Sequence, residues 1–177
     1  MKAVLISIRP EWVEKILAGK KTLEVRKNRP KLEAPFRCYI YCTHNGGWLA
    51  NREEFLNRKV VAEFVCDKIT WLTHIGFSGV PGIRLAAIKD RYTIDDSFDF
   101  SESCLTTPQI EKYLDGEDGY AWHISNLKIY DKPKKLSEYS NTYGRSHSIV
   151  RPPQSWCYVE EQLSLIHISE PTRPEPI

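Results

Sequence analysis

The sequence predicts a mainly β, α+β domain: a small β-barrel carrying short helices. Three observations lead there. Apolar residues alternate along five segments, Val4–Ile8, Thr22–Arg26, Phe36–Thr43, Lys59–Ile69 and Tyr120–Tyr130. Helical spacing never lasts beyond a couple of turns, too short to stand without a sheet beneath it. Of the 177 residues, 41% are hydrophobic and 11% aromatic, enough to give one ordered domain a proper core.

In the first strand Val4, Ile6 and Ile8 share one apolar face, opposite Leu5 and Ser7. Pro10 suits the first turn of a helix, where its missing N–H costs nothing, while Arg9 at the cap position brings no acceptor. Trp12, Val13, Ile16 and Leu17 then fall three and four apart, one stripe on a helix from Glu11 to Ala18. Gly19 stands where a left-handed residue ends the helix, and Lys20 and Lys21 are set against the negative end of its dipole. In the next strand Leu23 and Val25 point inward, and Thr22, Glu24 and Arg26 share the other face.

Within this stretch lies Gly19-x-Lys21-x-x-Glu24-x-Arg26. With the preceding SIRPEWVEKILAG, the later VVAEFVCDKI and the segments GYAWHISNLKIYDKP and PPQSWCYV, the chain resembles the ASCH domain family, relatives of the PUA-like fold. The likeness spans residues 1–162 and keeps all four motif positions. It implies a compact PUA-like β-barrel with a cleft, proposed in the family to bind RNA or modified nucleosides. Some small relatives hydrolyse N4-acetylcytidine, and ribonuclease activity is proposed for others. Those small hydrolases use a lysine of this motif with a threonine and a distant carboxylate. Lys21 matches the lysine, but Glu24 stands where their threonine would be. No residue of the 71–100 segment, which looks like the family's variable insertion, matches their carboxylate.

Further along, Lys27, Arg29 and Lys31 crowd the start of an irregular loop that runs from Asn28 to Pro35. It reads either as a solvated loop or as a phosphate contact beside the cleft. In Phe36–Thr43 the residues Cys38, Ile40 and Cys42 form a core face. Tyr39 and Tyr41 lie opposite, able to stack a base or simply to furnish a barrel strand. His44–Leu49 is a Gly-rich turn without phosphate-loop features, and Asn51 caps a short helix through Leu56. Glu63 interrupts an apolar pair in its strand. It is either a water-facing carboxylate near a bulge or barrel mouth, or a substitute for the missing catalytic carboxylate.

The acidic run Asp95, Asp96, Asp99 would repel phosphate, so it is expected away from a nucleic-acid face. Thr106 and Gln109 are spaced for a capping box, Ile110, Tyr113 and Leu114 make a helical stripe, and Gly116 ends it. In Tyr120–Tyr130 the alternation breaks at Ser125–Asn126, the mark of a bulge, and His123 lies opposite Trp122 and Ile124. His123 reads as a satisfied side chain or as a cleft-lining base or phosphate partner. Asn141–Arg151 forms a second basic cluster, expected to be mobile. Gln154 and Ser155 open the last strand at positions suited to a base edge, and Trp156 is assigned to the core.

The formal charge of +2 permits nucleic-acid binding without demanding it. No segment is apolar for long enough to cross a bilayer and no secretory pattern opens the chain. Five cysteines, an odd number, lie mostly in apolar strands and read as reduced thiols of a cytoplasmic protein. Cys38 and Cys42 on one strand face are a poor chelate, so no metal site is called for, nor any cofactor. Leu163–Ile177, LSLIHISEPTRPEPI, resembles translated sequencing-adapter DNA and is expected to be a tail foreign to the 1–162 domain.

Two functions fit these residues. In the first, a cleft holds a nucleoside or a nucleotide of RNA. Gly19, Lys21, Glu24, Arg26, Lys31, Tyr41, His123, Gln154 and Ser155 are its candidate contacts. In the second, Lys21 is the base of an amide hydrolase, with Glu24 or Glu63 assisting. That role requires burial or a neighbouring cation to ready the amine, and Glu24 would oppose it. A metal-dependent nuclease is weaker still, because no converging carboxylates are evident.

Overall fold

A computed structural model of the chain describes residues 1–44, 58–76, 82–91, 93–143 and 147–162. The expected Gly-rich turn beyond His44, the helix begun by Asn51, Arg145 and the tail from Leu163 lie outside them. The elements are β1 (Lys2–Ile8), α1 (Pro10–Leu17), β2 (Leu23–Arg26), β3 (Phe36–Cys42), β4 (Lys59–Gly76), β5 (Ile83–Ile88), α2 (Thr107–Leu114), β6 (Gly119–Lys135) and β7 (Trp156–Glu160). Short 3₁₀ turns span Phe100–Ser103 and Leu136–Glu138. None of the described helices is long and apolar enough to cross a membrane.

All the strands belong to one sheet, ordered β2-β6-β4-β3-β1-β7, with β5 pairing β4 as a hairpin. Among the described residues, only β1 and β3 run parallel. Where a β-barrel was expected, the described residues form an open sheet. Its end strands, β2 and β7, share no ladder among the described residues, and the outer edge of β7 is taken by Ser140–Asn141 instead. The sheet nevertheless curls on itself. Trp122 of β6 meets Trp156 of β7 at 5.9 Å between ring centroids, although three strands separate them in the sheet order. Bulges supply the curvature: the β4–β6 register shifts three times, once beside Asn126, whose φ is +47°. The break in alternation at Ser125–Asn126 is this bulge.

Val4, Ile6 and Ile8 pack inside the curl with Phe64, Trp122 and the α1 residues Val13 and Ile16. Ala3 and Leu5 are equally buried on the other side, under Tyr39, Tyr139 and Ile149. So β1 is apolar on both faces, as the central strand of a covered sheet must be. A third cluster joins Leu23 and Val25 to Ile110 and Leu114 of α2.

Trp71–Gly76 continues β4 and pairs with β5 from Trp71↔Ile88 to Gly76↔Ile83. One expectation about the later chain is corrected. The described part of Asn141–Arg151 is fastened: Asn141 N–H donates to His147, Ile149 N–H to Tyr139, and Ile149 is buried.

Candidate functional site

The motif residues are arranged by local chain geometry. Helix α1 begins at Pro10 after Arg9, whose side chain makes no capping bond, and Gly19 follows its end at φ +70°. That left-handed turn releases the chain directly into Lys21 and β2, with Lys20 and Lys21 N–H groups both bonded to the Lys15 carbonyl. The Lys21 side chain does not lie along the helix end. It turns inward and is 2% exposed. Its Nζ donates to the carbonyls of Leu23 and Ser103, each at 2.7 Å, and pairs with Glu24 Oε2 at 3.2 Å.

Glu24, 7% exposed, also accepts on Oε1 from Arg26 Nε at 3.0 Å and is ion-paired there with Nη2 at 2.9 Å. Arg26 in turn donates to the Ser7 carbonyl at 2.8 Å and to Ser155 Oγ at 3.2 Å. The guanidinium thus spans the gap between β2 and the β1–β7 end of the curled sheet. This is no solvated surface pair. Two cations and one carboxylate are packed together and tied to neighbouring carbonyl and hydroxyl oxygens, the arrangement that makes buried charge tolerable.

These three residues form the floor of an open cleft of about 620 Å³. Ser7, Gln154 and Ser155 line one side; Trp12 from α1 and Tyr113 from α2 supply aromatic walls; Arg9, Thr43 and Gln109 stand around it. The volume lies in the range of small-molecule sites. Trp12 is flanked by Lys15 Nζ at 4.7 Å and Lys21 Nζ at 5.5 Å, and Lys27 Nζ sits 5.7 Å from the Tyr113 ring.

Of the residues singled out from sequence, Lys21, Glu24, Arg26, Gln154 and Ser155 meet in this cleft. The others lie elsewhere. Gly19 forms the turn behind Lys21. Lys31 lines a second cavity with Arg29, Glu33, Asp67 and Lys68. Tyr41 is 5% exposed within the cluster beneath Tyr139. His123 is half-buried beside Phe98 and bonds Thr70 Oγ1 at 2.9 Å, and burial lowers its pKa from the ordinary 6.5. Glu63 is buried in a separate polar knot, accepting from Arg37 Nη1 and, at 2.6 Å, from the Tyr130 hydroxyl. Burial and that bond push the Tyr130 phenol well up. Its carboxylate is therefore neither in water nor at the cleft.

Sequence reading missed Arg9, Trp12, Thr43, Gln109 and Tyr113. One signal was present: Arg9 stands at a cap position it cannot fill. Trp12 and Tyr113 were read only as members of apolar stripes, yet both are large for two-turn helices and Tyr113 is 42% exposed.

Chemically, the cleft can donate through Arg9 and the Gln109 and Gln154 amides, and accept through Gln154 and the remaining lone pair of Glu24. A general base requires a lone pair aimed at the substrate. Lys21 Nζ instead donates to two backbone carbonyls and is ion-paired with Glu24. Among the described residues, no group of three or more His, Cys, Asp or Glu could hold a metal ion.

Residues 6–68 match the family model of the ASCH domain. No curated protein matches the sequence. Among solved structures, the crystal structure of ASCH from Zymomonas mobilis is 19% identical, with 90% of this chain and 88% of that chain covered and a TM-score of 0.50. A tyrosine-to-phenylalanine mutant of the Zymomonas mobilis protein is 20% identical over 91% and 92% of the two chains, also at 0.50. A serine-to-alanine mutant is 19% identical over 90% and 89%, at the same score. At such identity the likeness is one of fold. The motif Gly19-x-Lys21-x-x-Glu24-x-Arg26, at the turn after the first helix, lies inside the stretch that matches the ASCH domain model, and the chain shares the fold of the solved ASCH structures.

Proposed function

We propose that the cleft binds a nucleoside unit, either one nucleotide of single-stranded RNA or a free modified nucleoside. The observation that supports this most is the combination of floor and walls. A buried Lys21–Glu24–Arg26 set offers fixed charge and a spare acceptor, while Trp12 and Tyr113 offer ring surface. Base recognition needs donors and acceptors for the base edge plus a platform for its face.

Lys21 and Arg26 hold the fold together, so their removal would confuse binding with folding. Tyr113 and Gln154 are the better probes. Titration of labelled single-stranded RNA and of cytidine is expected to show affinity falling in Tyr113→Ala by about 1–3 kcal/mol, roughly five- to 150-fold. Gln154→Ala is expected to weaken binding with the unfolding midpoint unchanged. Equal affinity of both variants and the parent protein would refute the assignment.

A hydrolase acting on N4-acetylcytidine-like nucleosides, or a ribonuclease, is the rival reading. It draws support from the burial of Lys21 on the cleft floor. It also requires Lys21 to release a carbonyl or its Glu24 partner before its amine could take a proton. Acetate released from N4-acetylcytidine by the parent protein, and abolished in Lys21→Arg, would favour it over binding alone.

A further inference from the structure

The loop after β2 carries cations that the cleft does not use. Lys27, Arg29 and Lys31 are all exposed, and none forms an ion pair with a carboxylate among the described residues. Yet they are held in place. Lys27 lies over Tyr113, the cleft wall, and Arg29 Cζ lies 5.6 Å from the Tyr120 ring. The loop itself is anchored to β7 at two points: Trp156 Nε1 donates to Asn28 Oδ1 at 2.8 Å, and the Lys31 N–H donates to the Tyr158 hydroxyl at 2.7 Å. Positive charge held on a fixed loop, starting at the wall of a nucleoside-sized cleft, suits a chain of phosphates better than a neutral small molecule.

We infer that Lys27, Arg29 and Lys31 form a rail for phosphates leading out of the cleft, so that the ligand is a single-stranded oligonucleotide and not a free nucleoside. This rests on the nucleoside-binding reading of the cleft. The rail is argued from the loop and its anchors, not from the cavity beside Lys31. That cavity also holds Glu33 and Asp67, which largely offset Arg29, Lys31 and Lys68.

The test compares cytidine, cytidine monophosphate and a labelled single-stranded RNA of mixed sequence, nine nucleotides long, each titrated against the full chain over a range of salt. The RNA is expected to bind more tightly than the nucleoside. The slope of log affinity against log salt is expected to shrink by about 0.7 for each of Lys27→Ala, Arg29→Ala and Lys31→Ala. Cytidine affinity should stay the same in Arg29→Ala and Lys31→Ala, which do not touch the cleft. Equal affinity for nucleoside and RNA, or an unchanged slope in the triple variant, overturns the rail and leaves the nucleoside cleft standing. Loss of RNA binding in Tyr113→Ala joined to these effects supports both. No binding of cytidine or RNA defeats both. Heparin competing as well as RNA while Tyr113→Ala has no effect overturns the rail in favour of a general polyanion surface.

Discussion

Glu24 is the residue on which the site turns. Its carboxylate lies between two buried cations, ion-paired with Lys21 and Arg26 and accepting a hydrogen bond from Arg26 Nε. Burying a charge is costly unless it is paired, so deleting one partner is worse than never having built the pair. Glu24→Ala strands both cations and is expected to cost about 3–5 kcal/mol in denaturant unfolding. A surface pair between β-strand neighbours would cost at most about 1 kcal/mol. A loss that small would mean the Lys21–Glu24–Arg26 set is solvated and not the buried floor described above.

At the scale of elements, the helices matter because they carry the cleft walls. α1 brings Trp12, and α2 brings Gln109 and Tyr113. The start of α2 is secured by a full capping box: Gln109 N–H donates to Thr106 Oγ1, and Thr106 N–H donates to Gln109 Oε1 at 2.8 Å. Thr106→Ala is expected to cost about 0.5–2 kcal/mol of stability and to weaken binding by loosening the Tyr113 wall. Calorimetric unfolding alongside an RNA titration checks both, and an unaltered Tm would contradict the first. This box was legible in the sequence because its partners lie three residues apart, as were the Gly19 turn and the Asn126 bulge. What could not be read were contacts made by distant parts of the chain. Nothing local joins Arg26 to Ser155, 129 positions later, or Glu63 to Tyr130, 67 later. Glu63 meets Tyr130 because β4 pairs with β6, and Arg26 meets Ser155 because the curl of the sheet brings its two ends together. The same topology made Glu63 look like a cleft candidate when it belongs to a knot with Arg37 and Tyr130.

For the molecule as a whole, the open sheet explains why the motif makes a cleft and not a filled core. Among the described residues β2 and β7 end the sheet without pairing to each other, and the side chain of Arg26 crosses the gap where backbone bonds would close a barrel. The space left beside that crossing is lined by Gln154, Ser155 and the helix walls. With a formal charge of only +2, the chain has no strong overall field, so recognition must come from locally placed groups. The most direct measurement is a crystal structure of the chain soaked with cytidine and with a short single-stranded RNA. The base is expected in the cleft, within hydrogen-bond reach of Glu24 or Gln154 and against Tyr113 or Trp12, with any flanking phosphate beside Lys27. A ligand bound elsewhere while the cleft stays empty would contradict the account.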